Sequence, residues 1–236
     1  MLEQYDLNNL LVLDIETVPQ YSTYEEVPDN FKKLWDLKTQ NQRKEETAGA
    51  FYERAGIWAE FGKIICISVG IFTGGKAYPG LRIKSFASHN EKELLDKFTA
   101  MLAGQPASLI LCAHNGKEFD FPYICRRMLV NGLKLPPQLE ISGKKPWEIN
   151  HQDTMELWKF GDYKSYTSLN LLTSIFDIPT PKDDIDGSQV GMVYWQENQL
   201  ERICTYCQKD VVATAQLLRR FRGEDLIADG SITIVG

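Results

Sequence analysis

The stretch NLLVLDIETVP, Asn9–Pro19, combines an apolar run with two acidic side chains at its end. Leu10 to Leu13 are continuously apolar, which is typical of a central strand with both faces covered. Because side chains of a strand alternate between faces, the carboxylates of Asp14 and Glu16 project from the same face. Open α/β sheets bind ligands at the carboxyl ends of their strands. The stretch therefore predicts two carboxylates at a ligand-binding edge, although two charges emerging into solvent would give the same pattern.

The remaining pattern predicts one α/β domain spanning residues 1–236, with a central mixed sheet of five strands flanked by helices. Strands follow at 63–72, 81–88 and 108–115, and a short edge strand is predicted within 147–157. Helices are predicted at 90–102 (capped by Ser88 or Asn90), 119–132, 168–178 and 192–221, the last interrupted once. Residues 25–60 are polar with interspersed aromatic residues, which indicates a helical insertion packed on the edge of the core.

Composition indicates a cytoplasmic protein. Apolar residues at 43% and charged residues at 25% are ordinary for a globular chain. No apolar run approaches the roughly 18 residues that a membrane span needs, and the first residues lack the pattern of a signal peptide. Five cysteines, an odd number, favour a reducing compartment over a disulfide framework. Cys204 and Cys207 share the C-x-x-C spacing of zinc and redox sites, but the surrounding pattern is helical, so we interpret both as helix residues.

The charge distribution leaves a nucleic-acid partner open. A net charge of −6 argues against one, although two divalent cations would reduce it to −2. Basic residues cluster at Arg126-Arg127, at Lys144-Lys145 and at Arg219-Arg220 with Arg222. Each cluster is either a solvated face or a contact for phosphates.

Three further polar side chains suggest a metal site together with Asp14 and Glu16. Asp120 precedes a helix and could instead be its N-cap. Tyr206 and Asp210 lie four residues apart on one helix face, and Asp210 is followed by an apolar run. Carboxylates from separate elements are the usual ligands of Mg²⁺ and Mn²⁺. Without a cation, each carboxylate pair about 4 Å apart costs on the order of 4 kcal/mol.

The segments LDIET (13–17), HNGKEFD (114–120) and YCQKD (206–210) together resemble the three motifs of the DEDD 3′–5′ exonucleases. One branch of these enzymes carries histidine five residues before the last aspartate, where this chain has Thr205. The other carries tyrosine four residues before it, as Tyr206 does. The chain therefore resembles the tyrosine branch (DEDDy), in particular stand-alone bacterial relatives of the proofreading domain of family B DNA polymerases. The resemblance implies a ribonuclease-H-like fold and covers roughly residues 10–215.

The resemblance also implies the roles of the site residues and two Mg²⁺ or Mn²⁺ ions as cofactors. Asp14 would bridge both ions, Glu16 and Asp210 would complete the nucleophile-side ion, and Asp120 would support the second, directly or through water. Tyr206 would hold the attacking water. The residues expected to contact the terminal nucleotide are Thr17, Asn115 and Phe119.

The expected activity is hydrolysis of the terminal phosphodiester at the 3′ end of single-stranded nucleic acid, with release of nucleoside 5′-monophosphates; DNA is the favoured substrate class and RNA the alternative. The partner is thus a nucleic-acid 3′ end, and no membrane is involved. Phe121, Tyr163, Tyr166 and Trp195 either stack on bases or pack in the core, and His89, His114 and His151 do not form a ligand set by spacing. The alternatives are a catalytically inactive nucleic-acid- or protein-binding module on the same fold, and a metal-free, glycosidase-like pair at Asp14 and Glu16.

Overall fold

The structure, a computed structural model, describes residues 6–75, 78–162, 164, 166–179 and 185–236. Within these residues six strands form one mixed sheet in the order β5-β4-β1-β2-β3-β6. Their bounds are β1 Leu10–Pro19, β2 Gly62–Thr73, β3 Gly80–Ala87, β4 Ile110–Ala113, β5 Gln152–Asp153 and β6 Ile232–Val235. β1, β2 and β3 are antiparallel neighbours, whereas β4 is parallel to β1, β5 to β4 and β6 to β3. β1 is therefore an interior strand with partners of both kinds.

The sixth strand corrects the expected number of five. Residues Ile232–Val235 pair in parallel with Leu81–Lys84 of β3 and extend the sheet at that edge. Sequence reasoning missed this strand because four apolar or β-branched residues are too short a run to distinguish a strand from a loop.

The helices cover the two faces of the sheet. Their bounds are α1 Asp29–Thr39, α2 Glu91–Ala103, α3 Asp120–Val130, α4 Thr154–Lys159, α5 Leu169–Ile175, α6 Val190–Trp195 and α7 Leu200–Phe221. Leu11, Leu13 and Ile15 of β1 pack in a core cluster with residues of α2 and α3. Leu10 and Val12, on the other face, pack in a cluster with α7. The interrupted last helix is confirmed, since the chain leaves the helix between α6 and α7, and the Asn90 side chain caps α2 as expected.

The segment 25–60 is only partly helical. It contains α1 and a 3-10 helix, Ala50–Ile57, joined by turns. Trp35 is fully buried in an aromatic cluster of its own, and its indole N–H donates to the Ala48 carbonyl at 2.8 Å. The segment is attached to the core through Tyr123, whose hydroxyl donates to the Gly56 carbonyl at 2.8 Å. The segment thus has its own apolar centre and adjoins the carboxyl end of β1.

A buried ion pair joins this segment to the helices. The Arg127 Nε donates to Glu91 at 2.8 Å, and a second guanidinium nitrogen contacts the other oxygen of the same carboxylate. Arg127 also donates to the Ala59 carbonyl at 2.8 Å, and Glu91 accepts from the Ile64 N–H at 2.7 Å. The expectation that Arg127 lies on a solvated or phosphate-binding face is therefore wrong, because its guanidinium is buried and paired with the Glu91 carboxylate.

Replacing Arg127 by Met should lower the free energy of unfolding by about 3–5 kcal/mol, since it leaves the Glu91 carboxylate buried without its partner. Arg126→Met is the matched control, because Arg126 is the exposed neighbour on the same helix, and it should change stability by less than about 1 kcal/mol. Urea unfolding followed by circular dichroism measures both. Equal effects of the two substitutions would contradict the structural role of the pair.

Candidate active site

Asp14 and Glu16 lie on the α7 side of β1, next to the strand's carboxyl end. In the antiparallel ladder with β2 they are opposite Ser68 and Cys66, and the register shifts between Glu16 and Thr17. Ligand atoms of Asp14, Glu16 and Cys207 all lie within 4.8 Å of one another. The strand end therefore gathers two carboxylates and a thiol.

Asp120 faces the same end of β1. It is the first residue of α3, 3% exposed, and the preceding cap position, Phe119, makes no side-chain capping bond. The Asp120 carboxylate accepts hydrogen bonds from its own backbone N–H and from that of Ile15. Its side chain thus turns toward β1 and interacts with the charge of Asp210.

Asp210 and Tyr206 project from one face of α7, and their side chains are hydrogen-bonded to each other. The charge of Asp210 raises the pKa of Asp14, Glu16 and Asp120. The structure therefore brings the four acids and the tyrosine, from three separate elements, into one electrostatically coupled group.

Burial is the largest influence on this group, and neighbouring negative charges add to it. Together they raise the pKa of Asp14 and Glu16 well above the usual range and that of Asp120 to about 7. Asp14 Oδ2 is buried without a hydrogen-bond partner, and Glu16 is only 7% exposed. Hard divalent cations prefer carboxylate oxygens from separate elements, so these four residues fit one or two such ions.

Tyr206 remains a phenol at neutral pH. Burial and the charges of Asp210, Glu16 and Asp14 raise its pKa well above the usual value. A phenol in this setting donates and accepts hydrogen bonds but does not act as a base.

Of the three residues expected to bind substrate, Thr17 and Phe119 are the chain neighbours of Glu16 and Asp120. Thr17 follows the register shift and its side chain bonds the Tyr123 hydroxyl. Asn115 has a left-handed backbone with φ of 63°, and its side-chain oxygen is buried without a partner. Phe119 is half-buried and packs on the ring of Tyr123 at a centroid distance of 5.4 Å. An unusual backbone and an unpaired amide oxygen beside the acids are what a substrate-contacting residue would show.

Asp153 of β5 is a residue that sequence reasoning missed. Its Oδ1 accepts from the backbone N–H groups of Asn115 at 3.0 Å and of Met155 at 2.9 Å, while Oδ2 accepts from that of Lys117 at 3.1 Å. A third bond to Oδ1 comes from the Glu156 N–H. Asp153 thus caps α4 and fixes the loop that leads to Asp120. The D-x-x-E spacing of Asp153 and Glu156 resembles a capping box and could have revealed the cap.

Several other candidates have structural roles. Phe121 is fully buried beside His151, so its core-packing alternative holds. Arg219 is 6% exposed and bonds the Asp225 carbonyl, so that basic cluster is not a free surface. Tyr166 is exposed, and the Trp195 indole donates to the Pro19 carbonyl. His114 bonds Thr154 and Thr167, and Tyr163 lies outside the described residues.

The sheet order and the flanking helices define a ribonuclease-H-like fold. The structure is similar to that of the family B DNA polymerase from the hyperthermophilic archaeon Pyrobaculum calidifontis, with a TM-score of 0.54 and 15% sequence identity. The similarity covers 90% of this chain and 24% of that one.

The sequence identifies the family. The profile described as "Predicted 3'-5' exonuclease related to the exonuclease domain of PolB" matches residues 57–225, and the chain belongs to this family. The matched range includes Asp120, Tyr206 and Asp210, whereas Asp14 and Glu16 precede it.

Two curated DNA polymerases are also similar to the chain. The one from Pyrococcus glycovorans is 25% identical over 150 residues, which cover 56% of this chain and 18% of that protein. The one from Pyrococcus horikoshii is 24% identical over 179 residues, covering 69% of this chain and 14% of that protein. The chain thus spans less than a fifth of the length of these polymerases. Among its described residues no helix is both long and apolar enough to cross a bilayer.

Asp153→Ala should lower the free energy of unfolding by about 2–4 kcal/mol, because it removes a helix cap and the acceptor for two loop N–H groups. Asp153→Asn retains one acceptor oxygen and should lower the free energy of unfolding by less. Asp96→Ala, which breaks an exposed ion pair with Lys92, is the control and should cost less than about 1 kcal/mol. Chemical denaturation that gave equal losses for Asp153→Ala and Asp96→Ala would refute the anchoring role.

The metal-free protein should become less stable as pH rises. The pKa of Asp120 is raised from 3.8 to about 7, so its stabilising contribution is present below about pH 4 and lost as pH rises through about 7. A bound cation offsets the negative charge, so Mn²⁺ should raise the melting temperature more at about pH 8 than at about pH 5. Thermal melts with Mn²⁺ and with chelator at both pH values measure the difference. A Mn²⁺ effect that did not grow with pH would contradict the coupling.

Asp14→Asn provides the complementary test. Without metal at about pH 8, this variant should melt at or above the wild-type temperature, because one of the repelling charges is gone. Adding Mn²⁺ should also raise the melting temperature of this variant only slightly. A clearly lower metal-free melting temperature would mean that repulsion at Asp14 is not a significant cost.

Proposed function

We propose that the protein is a metal-dependent 3′–5′ exonuclease of the tyrosine branch, which hydrolyses the terminal phosphodiester of single-stranded nucleic acid and releases nucleoside 5′-monophosphates. DNA is the favoured substrate and RNA the second. One observation carries the proposal: four coupled carboxyl groups and a phenol meet at the end of β1, and Asp14 Oδ2 is buried there without a partner.

The carboxylates would hold the cations. The charges of Glu16, Asp210 and Asp120 all raise the pKa of Asp14. Asp14 therefore interacts with each of the other acids, which supports a bridging role. Glu16 and Asp210 interact with each other and would hold the ion on the nucleophile side. Asp120 would support the second ion. When bound, two such ions lower the pKa of a water molecule and stabilise the departing 3′ oxygen.

Tyr206 would orient the attacking water. Its raised pKa keeps the hydroxyl protonated, so it can donate a hydrogen bond but cannot remove a proton at neutral pH. Asp210 is its hydrogen-bond partner and would fix the direction of the hydroxyl.

The terminal nucleotide would lie between the loop of Asn115 and the end of β1. The buried, unpartnered side-chain oxygen of Asn115 offers an acceptor, and the half-buried Phe119 ring offers a face for a sugar or base. Gly56 of the 3-10 helix packs against Thr17 and Val18, since an added Cβ there would lie 3.2 Å from the Thr17 carbonyl oxygen. We propose that the segment 25–60 forms one wall of the path of the nucleic-acid strand in a single exonuclease domain.

An inactive binding module on the same fold is the second candidate. A module without catalysis has no need for four coupled acids together with Tyr206. The metal-free acid pair is also disfavoured. Burial raises the pKa of Asp14 and Glu16 most, and the charges of Asp210 and Asp120 raise both further, so the pair belongs to a group of four acids.

The direct test is a nuclease assay with Mn²⁺ on single-stranded DNA, single-stranded RNA and duplex DNA, with and without chelator. Because Tyr206 orients water without acting as a base, Tyr206→Phe should retain measurable activity, whereas Asp14→Asn should retain essentially none. Labelling the 5′ end resolves shortening from the 3′ end as a ladder of products.

Two outcomes would contradict this assignment. Absence of Mn²⁺-dependent cleavage in the wild type would favour the inactive module. Equal and complete loss in Tyr206→Phe and Asp14→Asn would mean that the phenol does more than orient water. The exposed variant Arg126→Met should cleave like the wild type and controls for purification.

A further inference from the structure

A buried thiol adjoins the carboxylates at the end of β1. Cys207 is fully buried on α7, and its Sγ and oxygens of Asp14 and Glu16 lie within 4.8 Å of one another. The thiol donates to the Asp14 backbone carbonyl at 3.4 Å. No step of the proposed hydrolysis uses Cys207.

The three donor atoms differ in the ions they prefer. Carboxylates suit hard ions such as Mg²⁺ and Mn²⁺, whereas a thiolate selects softer ions such as Zn²⁺ and Cd²⁺. With bond lengths of about 2.3 Å to sulfur and about 2.0 Å to oxygen, tetrahedral zinc places its ligand atoms roughly 3.5 Å apart. A contraction of about 1 Å would bring the three atoms to that spacing. Three protein ligands with one open position form a common zinc arrangement.

The burial and hydrogen bonding of the two carboxylates bear on how a cation could bind here. Glu16 is 7% exposed, so its carboxylate is almost entirely removed from water. Asp14 Oδ2 is buried without a hydrogen-bond partner. Because β1 fixes both carboxylates and α7 fixes the sulfur, the three donors are held by elements that pack directly against each other.

We propose that Asp14, Glu16 and Cys207 form a site for one thiophilic divalent cation, with Zn²⁺ and Cd²⁺ as the chemical class. Binding replaces the thiol proton by a sulfur–metal bond and releases that proton to solvent, without any redox change. Since Asp14 and Glu16 would also hold the ions used in hydrolysis, a thiophilic ion would displace them and inhibit the enzyme. Only this inhibitory consequence rests on the proposed function.

A competing arrangement uses thiols alone. The thiol of Cys66 interacts with those of Cys204 and Cys207 between β2 and α7, and all five cysteines are free. A soft ion held by these three sulfurs would depend on Cys204 and would be indifferent to Glu16. The two arrangements therefore differ in which variants abolish binding.

The experiment is a Cd²⁺ titration of the purified protein, free of other divalent ions, followed by the thiolate-to-Cd²⁺ charge-transfer absorption and by calorimetry. The wild type should bind one equivalent with the absorption band. Cys207→Ser should lose the band and bind Cd²⁺ about tenfold more weakly or worse, and Glu16→Gln should also weaken binding. Cys204→Ser, the matched control on the same helix, should keep both the band and the affinity.

A band that survives in Cys207→Ser, or one that disappears in Cys204→Ser while Glu16→Gln binds normally, would overturn the proposal. Circular dichroism and thermal melts verify that each variant is folded. A Mn²⁺ nuclease assay with added Zn²⁺ tests the proposed nuclease activity separately from the proposed cation site. A Cys207-dependent band in a protein without nuclease activity supports the cation site and refutes the nuclease, whereas activity without such a band does the reverse.

Discussion

The burial of several carboxyl groups close to one another is the constraint on which the site depends. Asp14, Glu16 and Asp120 lie at the end of an interior strand, where burial raises the pKa of each, and the charge of Asp210 raises all three further. The folded protein therefore contains an unfavourable arrangement that a bound divalent cation would relieve, and this would link metal binding to stability and to chemistry.

The rest of the fold holds the repelling groups in place. α7 approaches β2 closely because Gly70 has no side chain; a Cβ there would lie 2.8 Å from a methyl group of Val211. Asp153 anchors the loop before Asp120 through backbone N–H groups, and the pair of Arg127 with Glu91 joins α2 and α3 to the backbone of the segment at 59–64. Each of these contacts fixes the direction from which one of the surrounding elements meets β1.

Local sequence patterns predicted where the side chains at the end of β1 lie better than they predicted the residues that hold them in place. Alternation along β1 and the four-residue spacing on α7 are local rules, so the faces of Asp14, Glu16, Tyr206 and Asp210 follow from short segments. Arg127 was misinterpreted because its partner, Glu91, lies 36 residues away on another helix, and no local pattern encodes that contact.

The errors at Asp153 and β6 have a similar physical origin. The cap on α4 is a local signal, but the bonds from Asp153 to Asn115 and Lys117 are tertiary contacts that local spacing does not reveal. The four residues of β6 become a strand because β3 offers an edge for pairing. Over so short a run, the β-propensity of these residues does not determine whether they form a strand.

The most direct measurement is anomalous diffraction from crystals of the protein grown with Mn²⁺. If two Mn²⁺ ions bind as proposed, two anomalous peaks about 4 Å apart should lie at the end of β1. An oxygen of Asp14 should contact both peaks, with Glu16 and Asp210 at one and Asp120 near the other. Mn²⁺ found only at exposed acids, with the carboxylates of Asp14, Glu16, Asp120 and Asp210 turned away from one another, would contradict it.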